Sequence, residues 1–186
     1  MADIIKQKDS RQVFIDTLIE LAEEDDKIIL IVPDVGFNYI EEFQKRFPNR
    51  FFNFGVTETS LIVIASTLAL SGFKLYIYSM INFVTFRVHE MIRNAICMHK
   101  ANVKIIGVKG SEKYKFLGFS HNLLWETEEL EWLEKLPGMQ VFTPTLYKEE
   151  MRKKYSFESN HTENDYVRWS IYQSYFQNEH PCYIRL

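Results

Sequence analysis

Apolar and polar positions follow two different periods along this chain of 186 residues. The apolar residues Val13, Phe14 and Leu18 recur at the spacing of an amphipathic helix. The run KIILIV, residues 27–32, is apolar almost without interruption, which is typical of a strand that is covered on both faces. By the same criterion, the sequence predicts further strands over residues 51–54, 74–78, 103–108, 140–142 and 182–186.

Segments with helical periodicity separate these strands. Beyond the first helix, they predict helices over about 40–46, 58–71, 83–99, 126–135 and 166–177. The helix over 58–71 is apolar nearly all round, so we expect it between layers of the fold. Strands that alternate with helices form right-handed βαβ units. The predicted fold class is therefore α/β, with a mainly parallel six-stranded sheet and helices on both faces, in a single domain over 1–186.

Four of the predicted loops follow the carboxyl ends of strands, where ligands bind in parallel sheets. These loops span residues 33–38, 55–58, 79–86 and 109–121. They carry a carboxylate, an aromatic pair and a histidine, which are Glu58, Phe83, Phe86 and His121. We therefore expect these side chains to lie close together at one edge of the sheet.

Composition narrows the classes of function. The formal net charge is −3 and the sequence has no basic footprint, so nucleic acid is not an expected partner. No apolar run approaches the roughly 20 residues that span a bilayer, and the first residues lack the apolar stretch of a signal peptide. Cys97 and Cys182 match no metal or redox spacing. We predict a soluble, cytoplasmic protein with two reduced, structural cysteines.

Aromatic residues make up 15% of the chain, and many lie outside the predicted core positions. Large rings that a core does not absorb are common at protein interfaces. The candidates for such an interface are Phe83, Phe86, Tyr114, Phe116 and Phe119. A general enrichment in phenylalanine without functional meaning is the alternative. The stretch over about 147–165 is polar and predicts an exposed insertion.

Several sequence blocks occur here in a fixed order: RFFNFGVTET at 50–59, YSMINFVTFR at 78–87, and GFSH at 118–121, followed by an acidic helix and LPGM at 136–139. In order and spacing they resemble the pyrimidine-binding domain of the transketolase family. The resemblance runs from Arg11 to Pro144 and returns in the final PCYIRL. It implies that the chain binds one end of thiamine diphosphate, the cofactor of that family.

The resemblance implies a role for each matching position on the cofactor. Glu58 would donate a hydrogen bond to N1′ of the aminopyrimidine ring, for which its carboxyl has to stay protonated. Apolar burial favours that state, whereas a helix N-terminus favours the anion. Phe83 and Phe86 would pack on the ring, and His89 would cap the same pocket. Alternatively, Glu58 is a first-turn helix acid and the two phenylalanines, three positions apart, are core residues.

Two further residues match positions next to the cofactor. His121 corresponds to a histidine that faces the substrate carbonyl, where it would hydrogen-bond or transfer protons. Asp34 corresponds to an acid beside the subunit contact. A surface histidine and a turn-capping acid are the alternatives. Leu117 occupies a position where relatives that act on sugar phosphates often carry an acid, so the resemblance leaves the donor substrate open.

The sequence lacks the Gly-Asp-Gly motif and the later Asn that hold magnesium and the diphosphate in this family. The diphosphate-binding and C-terminal transketolase domains are not expected in it. The chain is predicted to be one subunit of a two-chain, transketolase-type enzyme that transfers a two-carbon unit. A separate partner subunit would hold Mg²⁺, in an α2β2 assembly. A catalytically idle regulatory or scaffolding homologue and a fragment of a longer enzyme are the alternatives.

Overall fold

The computed structural model describes residues 8–110, 112–146, 161–176 and 180–186. Its strands form one sheet with the order β2-β1-β3-β4-β6-β5, and every neighbouring pair is parallel. The predicted α/β class with a six-stranded sheet is therefore confirmed. The strands are β1 (Ile28–Val32), β2 (Phe51–Asn53), β3 (Lys74–Met80), β4 (Val103–Val108), β5 (Gln140–Phe142) and β6 (Cys182–Arg185).

Helices connect the strands on both faces of the sheet. Short 3-10 segments lie at Pro48–Arg50, Phe86–Val88 and Glu112–Ser120, the last interrupted at Gly118, and a π-helix lies at Ile92–Cys97. No helix among the described residues has the length and apolar character needed to cross a membrane. The α-helices are α1 (Ser10–Glu24), α2 (Glu41–Arg46), α3 (Glu58–Leu70), α4 (Ile81–Val84), α5 (His89–Met91), α6 (Leu130–Leu133) and α7 (Glu163–Phe176).

The sheet separates two apolar cores. Along β1, Leu30 points into a core shared with α1 and α7, whereas Ile29 and Ile31 point into a core shared with α3. Successive side chains of a strand point to opposite faces, so an uninterrupted apolar run is what a doubly covered strand requires. All five residues of β1 are buried, as the sequence predicts. Both cysteines are free and buried, which also agrees with the prediction.

The helix after β2 differs from the prediction. It was expected to be buried all round, but Val63 and Leu70 of α3 are 41% and 58% exposed. One side of α3 packs on the sheet and the π-helix, and the other side faces outward. Apolar composition alone did not reveal this, because it does not show how many layers cover a helix.

The prediction of one long helix over 83–99 is also wrong. The segment divides into α4, a 3-10 turn, α5 and the π-helix. At Thr85 the backbone leaves the helical region (φ −125°, ψ −81°), and its hydroxyl donates to the carbonyl of Ile81 at 2.7 Å. A threonine side chain that bonds to the previous turn competes with helical backbone bonds. The segment therefore changes direction in its middle.

Two other segments differ from the prediction or lie mostly outside the described residues. The helix expected over 126–135 has only one α-helical turn, Leu130–Leu133. The polar insertion expected over about 147–165 lies largely outside the described residues, and its last three residues belong to α7.

Candidate active site

A cleft of about 610 Å³ lies beyond the carboxyl ends of β1, β3 and β4. This is the edge of a parallel sheet at which ligands bind. Four of the predicted site residues line the cleft, namely Asp34, Glu58, Phe83 and His121. The structure thus brings the carboxylate, one aromatic ring and the histidine to a single cavity, as the order of the loops predicts.

The turn after β2 positions the carboxylate. Gly55 has a left-handed backbone (φ 66°), a conformation that glycine adopts at little cost. Its N–H donates to Oδ1 of Asn53 at 2.9 Å, and the same oxygen accepts from the N–H of Asp34 at 3.0 Å. This hydrogen-bonded turn connects the ends of β1 and β2. Glu58 then opens α3, with its side chain only 6% exposed.

Arg87 contacts the buried carboxylate. Its Nη1 donates to Oε1 of Glu58 at 2.5 Å, and its guanidinium carbon lies 4.2 Å from the centre of the Phe83 ring. Glu58 is thus paired with a cation, and its predicted role as a protonated donor stays a prediction. Sequence analysis missed Arg87, although it ends the YSMINFVTFR block.

His121 lies against the same aromatic ring. The two rings are nearly perpendicular, with ring centres 4.9 Å apart and planes at 80°. Nδ1 of His121 is 2.7 Å from the hydroxyl of Ser120, and Tyr114 lies parallel to the imidazole at 6.3 Å. The Asn82 amide donates to the carbonyl of Phe119 at 3.0 Å, which ties this loop to α4. The histidine is therefore held at the cleft.

Phe86 and His89 are directed elsewhere. Neither lines the cleft, and both pack against Trp132 in the turn of α6, with ring centres 6.5 Å and 4.0 Å away. The sequence placed both residues on the cofactor ring beside Phe83. The break at Thr85 rotates the residues that follow it, so the helical spacing assumed from Phe83 onward does not hold. In this structure the aromatic residues that line the cleft are Phe37, Tyr39, Tyr78, Phe83 and Tyr114.

Asp34 lies in the loop after β1. Its backbone is left-handed (φ 57°), a conformation that aspartate tolerates better than most residues, and its Oδ1 accepts from the Asn53 amide at 3.1 Å. These contacts are those of a turn residue. Asp34 is also exposed at the cleft, and its role at a subunit contact stays a prediction.

The predicted interface rings divide into two groups. Phe83 is buried and Phe86 is partly buried, so these two do not form an exposed patch. Tyr114, Phe116 and Phe119 are 46%, 81% and 71% exposed on the loop beside the cleft. Large exposed rings of this kind mark interaction surfaces.

The contacts of Arg87 show what kind of group fits between Glu58 and Phe83. The guanidinium of Arg87 is planar and carries N–H groups; one N–H donates to Glu58, and the group lies over the Phe83 ring. An aminopyrimidine presents the same two features. No cluster of three or more potential metal-ligating side chains was found within the described parts of the chain.

Comparison with known proteins agrees with this geometry. The profile of the family described as "Transketolase, pyrimidine binding domain" matches residues 6–152. A putative transketolase C-terminal section from Methanocaldococcus jannaschii is 33% identical over 141 residues, which are 75% of this chain and 44% of that protein. One subunit of an apulose-4-phosphate transketolase from Phocaeicola vulgatus is 33% identical over 135 residues, 72% of this chain and 42% of the relative. The chain thus spans less than half the length of these relatives.

Solved structures show the same likeness. A split-gene transketolase, described as an inactive β4 tetramer, superposes with a TM-score of 0.75 at 30% identity, over 95% of this chain and 50% of that one. A transketolase mutant from Pichia stipitis superposes with a TM-score of 0.70 at 15% identity, over 95% of this chain and 25% of the other, which shows the shared fold. Because the family profile covers most of the sequence, this chain belongs to the family of transketolase pyrimidine-binding domains.

Proposed function

We propose that this chain is the pyrimidine-binding subunit of a two-chain, thiamine-diphosphate-dependent enzyme of the transketolase type. The enzyme transfers a two-carbon unit by cleaving one carbon–carbon bond and forming another. The observation that carries the proposal is the buried Glu58, which opens α3 at a cleft that Phe83 and His121 also line. A carboxylate buried at the ligand-binding edge of a parallel sheet is a candidate for chemistry as well as for structure.

Three side chains of this chain would act on the cofactor and substrate. Glu58 would hold a proton at N1′ of the aminopyrimidine, and the Phe83 ring would orient that ring by stacking. His121, with Nδ1 beside Ser120, would hydrogen-bond to the substrate carbonyl or transfer a proton. Thiamine diphosphate, when bound, supplies the electron sink for carbon–carbon bond cleavage. Asp34, at the mouth of the cleft, would contact the partner.

A separate subunit would hold the diphosphate and its Mg²⁺. The names of the relatives support this division, since one is called a C-terminal section and another a transketolase subunit. The exposed rings of Tyr114, Phe116 and Phe119 beside the cleft offer a surface for such a partner. As the resemblance to the transketolase family implies, the assembly would be an α2β2 tetramer in the cytoplasm.

An idle homologue with a regulatory or scaffolding role is the second candidate. It is favoured by the placement of Phe86 and His89, which lie on Trp132 rather than at the cleft. It is also favoured by Leu117, at a position where sugar-phosphate enzymes of this family often carry an acid. In that case, substitution of Glu58 leaves every activity of the complex unchanged.

The first experiment is native mass spectrometry of the complex isolated on this chain from source cells, with thiamine diphosphate and Mg²⁺ added. We expect a second, different subunit together with bound cofactor. The complex is then assayed for two-carbon transfer with wild-type chain, with Glu58→Gln and with Glu24→Gln, an exposed glutamate, as control. Loss of the Glu58 proton should lower turnover by about 10²- to 10⁴-fold, and the control should match wild type.

Two results would contradict the proposal. A homo-oligomer that binds no cofactor excludes the two-chain enzyme. A complete complex in which Glu58→Gln turns over like the wild type removes Glu58 from the chemistry and leaves the idle homologue as the better interpretation.

A further inference from the structure

Arg87 contacts both of the side chains that the proposed function assigns to the aminopyrimidine ring. It belongs to the 3-10 turn Phe86–Val88, between α4 and α5. From there its guanidinium reaches Oε1 of Glu58 at 2.5 Å and lies over the Phe83 ring at 4.2 Å. The first contact uses an N–H of the planar group and the second places that group over the ring, so the guanidinium lies between a carboxylate and an aromatic ring.

The proposed function requires these same two contacts for the cofactor, and this inference rests on it. A ring nitrogen has to meet the carboxyl of Glu58, and the face of the heterocycle has to lie on Phe83. Two planar groups do not occupy one space between the same carboxyl and the same ring. Binding of the aminopyrimidine and the contact of Arg87 with Glu58 and Phe83 are therefore mutually exclusive.

The environment of Arg87 permits its side chain to leave. The side chain is 43% exposed, whereas that of Glu58 is 6% exposed. Its guanidinium is held by one ion pair and one ring contact, on a one-turn segment just after the break at Thr85. A half-exposed arginine recovers much of its hydration when the pair opens, so the pair is inexpensive to break. Glu58 lines the cleft, so opening the pair leaves its carboxylate facing the cleft and not the core.

We propose that Arg87 closes the ring subsite in the cofactor-free chain and is displaced when the aminopyrimidine binds. The ion pair compensates the buried carboxylate of Glu58 until the ring arrives. Arg87 thus competes with the cofactor for the subsite, and each binding event includes the cost of opening the pair. Removal of Arg87 should therefore strengthen binding of the ring, whereas removal of a residue that holds the cofactor weakens it.

The test compares Arg87→Gln with Arg93→Gln in the 186-residue chain. Arg93 is an exposed arginine in the adjoining π-helix, where it donates to Asn94 at 3.0 Å, and it serves as the matched control. The probe is the free aminopyrimidine fragment of thiamine, titrated by NMR. We expect Arg87→Gln to bind it about two- to five-fold more tightly than wild type, as the loss of a partly exposed ion pair implies. The control should bind like wild type, and Glu58→Gln should bind more weakly.

A second measurement shows whether the pair exists in solution. Arg87→Gln should lower the Tm of the ligand-free chain, and the same substitution in a Glu58→Gln background should lower it less, since the charge on the acid is already absent. Additive Tm changes would show that the two side chains are not paired.

The outcomes separate this inference from the proposed function. Equal or weaker binding by Arg87→Gln, with Glu58→Gln still defective, overturns the displacement of Arg87 and leaves the proposed ring site intact. Failure of the folded wild type and of every variant to bind the fragment overturns both. Tighter binding by Arg87→Gln alone supports both.

Discussion

Two glutamates of this chain are buried and paired with an arginine, yet their surroundings differ. Glu58 lies at the cleft, where its partner Arg87 is 43% exposed. Glu129 lies inside the fold and its side chain is fully buried. Nη1 of its partner Arg185, which is 2% exposed, lies 3.0 Å from Oε1 of Glu129. The first pair has one solvated member, and the second has none.

The interior pair belongs to a larger network. Arg185, on β6, also donates to the carbonyl and to Oε1 of Glu126, at 2.5 Å and 3.1 Å. The Tyr183 hydroxyl, on the same strand, donates to Oε1 of Glu129 at 3.1 Å. Burial raises the pKa of Glu129, and the guanidinium of Arg185 opposes that shift. This network ties the segment before α6 to the sheet.

Solvent exposure determines which of the two ion pairs is exchangeable. Breaking a pair that is buried on both sides leaves an uncompensated charge where water does not reach it, whereas a pair with an exposed member costs little to open. A ligand is therefore able to replace Arg87 at Glu58, but nothing replaces Arg185 at Glu129 without disturbing the core. The interior pair is structural, and the cleft pair is suited to function.

The largest effect should come from breaking the interior pair. Arg185→Met should lower the free energy of unfolding by about 3–5 kcal/mol, because Glu129 keeps a buried, unpaired carboxyl. Arg87→Gln should cost less, about 1 kcal/mol, because Arg87 is partly exposed and the Glu58 carboxylate left behind lines the cleft and not the core. Urea unfolding followed by circular dichroism measures both. The double variant Arg185→Met with Glu129→Leu should recover most of the loss, and equal costs for the two arginine variants would contradict the difference between the pairs.

A smaller effect is expected from Tyr183→Phe, which removes one donor to Glu129 and keeps the ring. A hydrogen bond to a charged group contributes about 1.5–3 kcal/mol, and Arg185 still compensates the acid, so a loss at the lower end is expected. The measurement is again the free energy of unfolding. Combined with Arg185→Met, the substitution should give a non-additive change, since both side chains contact one carboxylate. Full additivity would show that the two contacts act independently.

The smallest effect should come from a third, exposed pair, Asp9 with Arg11. Asp9 caps α1, and its side chain accepts from the Arg11 backbone N–H at 2.9 Å. Hydrogen bonds from Arg11 lower the pKa of Asp9 below its unfolded value of about 3.8. The charged acid therefore stabilises the fold above that pH, and the stabilisation is lost as pH falls through the lower, folded value.

Asp9→Asn keeps a good capping residue and removes the charge. It should cost about 0.5 kcal/mol at pH 7, discounted because the pair is exposed to solvent. The difference from wild type should shrink as pH falls from 7 through the lowered pKa of Asp9, below which the acid is protonated in both states. Unfolding midpoints across that range provide the test, and a constant difference would indicate that the cap, not the charge, is responsible.

Local pattern was sufficient to predict much of this molecule. The apolar run of β1 required a doubly covered strand, and the alternation of strands with helices required a parallel sheet whose loops meet at one edge. Glu58, Phe83 and His121 reach the same cleft because they follow the carboxyl ends of strands in that sheet. These features follow from the hydrophobic periodicity and from the order of the elements along the chain, and the sequence displays both.

Only the tertiary structure decided which side chains contact each other. Arg87 lies 29 positions from Glu58, and Tyr183 lies 54 positions from Glu129, so neither contact has a local signal. The break at Thr85 turned Phe86 and His89 toward Trp132, because a side-chain hydrogen bond replaced helical geometry at one residue. A sequence determines which residues are available at an edge or in a core. Which of them meet depends on how distant elements pack, and that packing determined which buried acid has a partner that can be exchanged.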